Sequence, residues 1–375
     1  MSGRWSLRGR LLPEGEGPVS LWIADGRISR EPLPDCAPIE GGWICPGLVD
    51  GHAHVSWDER DATGPGRRAL VAERREVFAR QGTLLVRDMG AADNLLLTLR
   101  LDGDGRARVL PSGRMALRYE GYPFPHTAPE ALAGAFASLA AAGAPWIKVF
   151  ADWTDDFGGP LNTGFSGGDG VSYPVEVLAD AVSAAHAGGA RVAAHAFSYE
   201  GAAVAVAAGV DSIEHGWGLD APLLDEMAGK HIAWLPLLVI ARGMRGGARN
   251  AGEDLRIAWI EERLEAMSTL LPYAVAAGVP VLAGTDWGPG LTAAQEVMAL
   301  RDRGLSPTQA LRAGTSAARD FFGAGVLAHG DSADLLVLQE DPREDLTRLM
   351  KPSAILMQGR LVPPDPPPLP TPPDW

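Results

Sequence analysis

The stretch WICPGLVDGHAHV, residues 43–55, is the first of eight short apolar runs that recur along the chain. The later seven are TLLVRDMG (83–90), ARVLPSG (107–113), PWIKVFAD (145–152), ARVAAHAF (190–197), DSIEHG (211–216), IAWLPLLVI (232–240) and PVLAGTD (280–286). Each run is aliphatic or β-branched and too short for a helix, which is typical of a strand. Their near-continuous apolar character indicates parallel strands that are covered on both faces.

Helical segments separate these runs, and their ends carry recognisable signals. Residues 129–143, 172–189 and 220–229 each have Pro near the start and Gly at the end, and the last two also have Ser or Asp before the first turn. This asymmetry is expected of helix termini. Eight strand–helix units in order predict a (β/α)8 barrel over residues 44–324. A doubly wound sheet is the second choice, because no GxGxxG turn follows an early strand.

Both ends of the chain have a different pattern, with alternating apolar and polar positions between Gly and Pro breaks. Such alternation is typical of strands with one buried face, and Asp25-Gly26 is a hairpin signal. We therefore predict one small β domain formed by residues 1–43 and 325–362 together. The Pro-rich residues 363–375 are expected to be extended and unpacked.

The composition narrows the class of protein. The 375 residues exceed the ~250 that one barrel needs, and a net charge of −14 argues against nucleic-acid binding. No apolar stretch has the length of a signal peptide or of a membrane span. The two cysteines, Cys36 and Cys45, form no CxxC motif, so we expect a cytoplasmic protein without a disulfide framework. The sequence does not decide whether the chain forms a homo-oligomer.

Ionisable residues fall at or near the carboxyl ends of the predicted strands. In a barrel these ends meet at one rim, where active sites lie. Imidazole and carboxylate ligands suit zinc and similar divalent ions. The sequence therefore predicts a metal centre at this rim, built from His52 and His54 in the first run, Lys148 in the fourth, His195 in the fifth, His215 in the sixth and Asp286 in the eighth.

Other interpretations of these residues stay open. Lys148 is one of only three lysines and lies inside an apolar run, so it is also a candidate for a Schiff base. Asp286 alone could cap the following helix. A metal enclosed by four protein ligands would be structural rather than catalytic.

Six of these motifs resemble the amidohydrolase superfamily, and most closely its imidazolonepropionase-like and Xaa-Pro dipeptidase-like branch. The resemblance runs in order from about residue 5 to 361 and is carried by PGLVDGHAH, GTLLVRDMG, IKVF, VAAHA, GVDSIEHG and AGTDWG. It implies a barrel beside a β-sandwich domain that is formed by the chain ends.

The resemblance also implies a chemistry. Lys148 would carry CO2 as a carbamate and bridge two divalent metal ions, for which zinc is the expected element. Asp286 would act as general base in the hydrolysis of an amide, cyclic amide or dipeptide C–N bond, or of a related ester. The first metal would be held by His52, His54 and Asp286, and the second by His195 and His215.

Some positions depart from the pattern of relatives. Ser198 stands three residues after His195, where mononuclear deaminases of the superfamily carry Glu. This difference makes a deaminase a less favoured hypothesis. Lys148 likewise makes an imidazolonepropionase a less favoured hypothesis, because that enzyme does not use a bridging lysine. Phe197 replaces a polar aromatic residue of many relatives, and Leu235-Pro236-Leu237 replaces an apolar-Pro-Thr motif, so a more apolar pocket is expected.

Substrate specificity is expected to lie in the loops that follow the strands. The stretch ARGMRGGARN (241–250) is predicted to be a loop, either a mobile lid or an ordinary solvated one. Side chains predicted to contact substrate, with loop packing as the alternative, are Arg118, Tyr119, Tyr122, His126, Trp153, Trp217 and Trp287.

Overall fold

The computed structural model describes residues 3–57, 66–117, 126–152 and 171–363. Its strands are β1 (Trp5–Leu11), β2 (Glu16–Ala24), β3 (Arg27–Ser29), β4 (Ala37–Ile39), β5 (Trp43–Pro46), β6 (Leu48–Ala53), β7 (Thr83–Asp88), β8 (Arg108–Leu110), β9 (Trp146–Phe150), β10 (Arg191–Ala196), β11 (Ser212–His215), β12 (Ala233–Leu235), β13 (Leu335–Leu338), β14 (Ala354–Met357) and β15 (Arg360–Val362). Its α-helices are α1 (Arg67–Arg80), α2 (Leu132–Ala141), α3 (Val175–Ala187), α4 (Tyr199–Ala208), α5 (Ala221–Lys230), α6 (Leu238–Ala251), α7 (Asp254–Ala277), α8 (Ala293–Asp302), α9 (Pro307–Ala313) and α10 (Ser316–Phe321).

Strands from both ends of the chain share one sheet, in the order β15-β14-β13-β5-β1-β2-β3, with β4 pairing with β1. The two ends meet where β5 pairs antiparallel with β13. The predicted Asp25-Gly26 hairpin is confirmed between β2 and β3, and both residues have positive φ, 52° and 77°. This sheet has a hydrophobic cluster of its own, which includes Leu21, Ile44 and Leu356.

The predicted parallel strands form two sheets, β6-β7-β8 and β12-β11-β10-β9. Single parallel bridges extend the pairing from one sheet to the other, namely Ala116 with Val149, Trp234 with Val281 and Ala53 with Trp287. The described residues do not form one continuous closed sheet. The eighth predicted run, residues 280–286, makes an isolated bridge instead of a strand.

One predicted run is divided between two sheets. Trp43–Pro46 forms β5 of the sheet built from the chain ends, whereas Leu48–Ala53 forms β6 of a parallel sheet. Gly47 lies between them, packed against the side chain of Leu84 so closely that a Cβ atom there would lie 2.5 Å from it. The chain therefore passes from the small sheet to the parallel strands within a single residue.

Most of the predicted helix ends agree with the structure. α3 begins after Pro174 and ends before Gly188. α5 begins after Asp220, whose side chain accepts a hydrogen bond from the Leu223 amide at 3.0 Å. Its predicted end at Gly229 is wrong by two residues, because the left-handed residue that terminates α5 is His231.

No helix within the described residues has both the length and the apolar character needed to span a membrane.

The loop predicted for residues 241–250 is wrong, because this stretch lies within α6. Within the predicted strand run 232–240, β12 ends at Leu235 and α6 begins at Leu238. The helix is fixed at its start by the buried carboxylate of Glu296, which accepts hydrogen bonds from the Leu238 and Val239 amides at 2.8 Å each. Acceptors at the first amides of a helix satisfy donors that have no partner within it.

Candidate metal centre

The chain brings His52, His54 and Asp286 together at the carboxyl end of β6. The Nε2 atoms of His52 and His54 each lie 3.1 Å from Asp286 Oδ1, and the three residues offer ligand atoms within 4.8 Å of one another. The Asp286 amide donates to the His52 carbonyl at 2.7 Å, and Asp286 has a left-handed φ of 54°. The backbone of the eighth run is thus fastened directly to the HxH motif.

Second hydrogen bonds fix the orientation of both imidazole rings. His52 Nδ1 lies 2.6 Å from Glu214 Oε2, and His54 Nδ1 lies 3.1 Å from the carbonyl oxygen of Gly90. A carbonyl oxygen can only accept, and Glu214 is ionised, because the neighbouring Arg87 guanidinium opposes the effect of burial and holds its pKa below the usual range. Both Nδ1 atoms are therefore donors, and a neutral ring then has a bare lone pair on Nε2.

This arrangement fits a divalent metal ion. Two Nε2 lone pairs face one carboxylate oxygen, and an acceptor next to an acceptor is unfavourable unless a cation lies between them. Protons on both rings would place two imidazolium ions with ring centroids 5.8 Å apart in a buried site. Neutral imidazole nitrogen and carboxylate oxygen are the donors that zinc and similar ions prefer.

His195 and His215 form a second group beside the first. His215 Nε2 lies 3.6 Å from Asp286 Oδ2, and the rings of His195 and His215 are 4.6 Å apart. Burial lowers the pKa of His215 to about 3 and that of His195 well below its usual value. Both rings are therefore neutral at physiological pH, which is the state in which imidazole binds metal.

Lys148 on β9 is buried, with 2% of its surface exposed, and its Nζ lies 5.4 Å from the centroid of the Phe150 ring. Burial lowers its pKa to about 8, although the charges of Glu214 and Asp286 oppose this shift. After burial itself, the charge of Lys148 is among the causes that lower the pKa of both His195 and His215. Lys148, His195, His215 and Asp286 thus lie within electrostatic reach of one another.

The prediction missed several carboxylates that support this site. Asp50 accepts from the His52 amide at 3.1 Å and from the Thr285 hydroxyl at 2.7 Å. Asp88 accepts from the Val55 amide at 2.6 Å, and Glu214 binds the His52 ring. All three lie inside the apolar runs, so the signal that singled out Lys148, a charge within a buried strand, also applied to them.

Comparison with known proteins places the chain in a family. The model of the Amidohydrolase family matches residues 43–362. The chain belongs to this family. An uncharacterized protein of Mycobacterium tuberculosis (strain ATCC 25618 / H37Rv) is 35% identical over 368 residues, which are 95% of each chain.

Solved structures give the same picture of the fold. A prolidase complexed with N-methylphosphonate-L-proline has a TM-score of 0.78 at 24% identity, covering 96% of this chain and 99% of that one. Ochratoxinase of Aspergillus niger has a TM-score of 0.78 at 22% identity, covering 96% of each chain. These two structures show the fold, and membership of the Amidohydrolase family supports an enzyme that hydrolyses amide-type bonds in small molecules.

The residues predicted to contact substrate lie in different environments. Arg118, Tyr119, Tyr122 and Trp153 fall outside the described residues. His126 is exposed, and its backbone pairs with Leu117. Trp217 is 3% exposed and packs against Phe197, with ring centroids 4.8 Å apart. Trp287 directly follows Asp286 and is 47% exposed.

Proposed function

We propose that this amidohydrolase is a metal-dependent enzyme that cleaves an amide, cyclic amide or dipeptide C–N bond, or a related ester. The observation that carries the proposal is the pair of imidazole nitrogens, from His52 and His54, that face one oxygen of Asp286 at 3.1 Å each. Those atoms have lone pairs directed at one another in a nearly buried site, and a divalent cation resolves that conflict.

The proposed architecture is a (β/α)8 barrel over residues 44–324 and a β-sandwich domain formed by 1–43 and 325–362. The two parallel sheets would be arcs of the barrel, and the single parallel bridges between them support this view. Residues 363–375 would be a Pro-rich tail. A cytoplasmic location and a homo-oligomeric state stay predictions.

We propose that two divalent ions, zinc being the expected element, are held at the site. His52, His54 and Asp286 would hold one ion and His195 and His215 the other, with Lys148 as a carbamate between them. The lowered pKa of Lys148, about 8, favours this role, because only the neutral amine takes up CO2. When bound, such ions lower the pKa of a water ligand and polarise a substrate carbonyl.

Asp286 is proposed to move the proton. The Asp286 carboxylate lies 3.1 Å from both Nε2 atoms, and in its ionised form it is able to accept a proton. Its side chain is 21% exposed, more than those of His52 and His54, so it is the member that faces incoming substrate. It would take a proton from the attacking water and return it to the leaving nitrogen.

The side chains around the second histidine pair favour an apolar group on the substrate. Phe150 and Phe197 lie 4.8 Å and 4.4 Å from the His195 ring, and Trp217 extends this surface. Trp287, exposed next to Asp286, would contact substrate at the entrance. One neighbour is a prolidase bound to a proline derivative, which makes dipeptides the first class to test.

A Schiff-base lyase is the second candidate, because a buried lysine with a pKa of about 8 is also a good amine nucleophile.

The contacts of Ser198 argue against a mononuclear deaminase. Its hydroxyl donates to Asp152 at 2.6 Å and accepts from the Gly201 amide, so it caps α4. It does not supply the carboxylate of a deaminase proton shuttle.

Metal analysis and one matched set of variants test the proposal. Purified enzyme should contain about two divalent ions per chain and hydrolyse at least one member of a panel of dipeptides, N-acyl amino acids, lactones and cyclic imides. His52→Ala and His54→Ala should each lose at least one ion and most activity. His186→Ala is the control, because this half-exposed histidine pairs with Asp211 on the surface.

Two results would contradict the proposal. The first is unchanged metal content and activity in both His52→Ala and His54→Ala. The second is metal-free enzyme in which borohydride traps a carbonyl substrate on Lys148, which would establish the lyase instead.

A further inference from the structure

A buried network of three polar side chains lies directly behind His52. Glu214 Oε2 accepts from His52 Nδ1 at 2.6 Å, while Glu214 Oε1 accepts from Arg87 Nη2 at 2.7 Å and from the Ser212 hydroxyl at 2.6 Å. Arg87 Nη1 also donates to Ser212 Oγ at 2.9 Å. His52, Arg87, Ser212 and Glu214 are all at most 1% exposed. Such a network is costly to bury unless every member is satisfied.

We propose that Glu214, held by Arg87 and Ser212, is a positioning residue that keeps the proton of His52 on Nδ1 and so presents Nε2 to a metal ion. This inference rests on the metal site of the proposed function. Histidine ligands of metals commonly donate their other ring nitrogen to a carboxylate, which fixes the tautomer and the ring orientation.

The division of the Glu214 oxygens distinguishes this role from an ordinary buried ion pair. Arginine prefers to bind a carboxylate through two parallel hydrogen bonds. Arg75 does so with Asp104, at 2.9 Å and 2.8 Å to its two oxygens. Arg87 instead binds only Oε1 of Glu214 and gives its other terminal nitrogen to Ser212. The second carboxylate oxygen is thereby kept for His52.

Arg87 also holds the backbone next to the histidine. Its Nε donates to the carbonyl oxygen of Gly51, the residue before His52. Its guanidinium carbon lies 4.4 Å from the ring centroid of Trp146 and 5.1 Å from that of Phe322, so the group is confined between aromatic rings. The same side chain therefore fixes both the main chain before His52 and the carboxylate behind its ring.

The backbone of β11 allows neighbouring residues to serve the same site. Successive side chains of a regular strand point to opposite faces, yet Glu214 reaches His52 and His215 lies 3.6 Å from Asp286. His215 has a positive φ of 65°, which interrupts the regular alternation at this position. His215, a proposed metal ligand, and Glu214, which positions the ligand His52, are therefore adjacent in the sequence.

Glu214→Gln tests the inference with almost no change in side-chain size. The glutamine oxygen would face Arg87 and Ser212, and its NH2 group would face His52 Nδ1. A donor there requires Nδ1 to accept, which moves the ring proton to Nε2 and blocks the metal ligand. We expect the dissociation constant for zinc, measured by chelator competition, to rise roughly 10–100-fold.

Two further measurements separate positioning from general stability. Asp104→Asn is the matched control, because it removes half of another buried-arginine ion pair without touching a predicted metal ligand, and it should leave zinc affinity unchanged. The ring-nitrogen NMR shifts of His52 in metal-free protein, assigned with His52→Ala, should show the proton on Nδ1 in the parent and on Nε2 in Glu214→Gln.

Several outcomes would overturn the inference. They are parent-like zinc affinity in folded Glu214→Gln, an unchanged His52 tautomer, or an equal loss of affinity in Asp104→Asn. If Glu214→Gln does not fold, Ser212→Ala is the alternative variant, because it removes one hydrogen-bond donor to the same carboxylate. The zinc affinity of Ser212→Ala should lie between that of Asp104→Asn and that of His52→Ala. A parent protein that binds no zinc would contradict the proposed function itself, which the other outcomes leave intact.

Discussion

The two halves of the candidate metal centre lie in different surroundings. In the first half, His52 and His54 are oriented by hydrogen bonds, one from each Nδ1 to Glu214 or to the Gly90 carbonyl. In the second half, His195 and His215 are surrounded by rings, and Phe197 lies 4.4 Å and 4.5 Å from their centroids. Hydrogen bonds to the ring nitrogens orient the first pair, and close aromatic contacts surround the second pair.

For the proposed pair of metal ions, this difference predicts two positions of unequal affinity. Hydrogen bonds that fix the tautomer raise the basicity of a histidine ligand, so the first half should bind its ion more tightly. The apolar setting of the second half keeps His195 and His215 neutral, because burial lowers the pKa of both. A second ion there would depend more on an added anionic ligand, which the proposed carbamate of Lys148 would supply.

The largest effect is expected at Lys148, which would join the two halves. Lys148→Ala should reduce activity to background, and short carboxylic acids with bicarbonate should restore part of it by replacing the bridge. Lys148→Arg should stay inactive, because guanidinium cannot form a carbamate. Labelled bicarbonate should give a carbamate NMR signal only in the parent. Substantial activity in the arginine variant would rule out the bridge.

The next largest effect is expected at Asp286, which contacts both halves. Asp286→Asn keeps the shape and an oxygen donor but loses the charge and the basicity. We expect kcat to fall by ~10² or more, the scale of lost acid–base catalysis, while much of the metal is retained. The acid limb of the kcat/KM profile should change as well. A parent-like kcat with normal metal content would show that another group is the base, and α8, which Thr292 caps, gives Asp286 no capping role either.

The tryptophans give a smaller effect and separate packing from substrate contact. Trp217→Ala should lower the free energy of unfolding by about 3–5 kcal/mol, because the ring is buried against Phe197 and Trp259. Trp287→Ala should change it by less than about 0.5 kcal/mol, as is usual at exposed positions, but should raise KM. Denaturant unfolding and steady-state kinetics measure the two. Equal destabilisation, or an unchanged KM in Trp287→Ala, would contradict this assignment.

The last effect is a change in the slope of stability against pH, and it concerns Asp50, in the polar half. Burial raises the pKa of Asp50 from 3.8 to about 7, despite its hydrogen bonds from Thr285 and His52. Its stabilising contribution is therefore full below about pH 4 and lost as pH rises towards about 7, by at most about 1.4 kcal/mol per pH unit. Denaturant unfolding of metal-free Asp50→Asn should show a flatter pH dependence in this window. The control Asp180→Asn, on the exposed face of α3, should follow the parent.

The sequence showed local features well and distant pairings poorly. The HxH motif and the caps of α3 and α5 are visible because each depends on a few neighbouring residues. The start of α6 depends on Glu296, which is 58 positions from Leu238, and Gly-rich residues 241–250 alone favour a loop. Arg87 and Glu214 were visible as charges in apolar runs, but their pairing across 127 positions required the folded chain.

The sheet shared by the chain ends has a consequence for synthesis on the ribosome. β5 pairs with β1 on one side, but its other neighbour, β13, is made roughly 290 residues later. At the usual pace of translation this delay is on the order of 15–60 s. During that time the nascent chain displays an unpaired strand edge, which is a template for association with other chains. The time at which β13 emerges therefore sets how long the free edge of β5 is exposed to association with other chains.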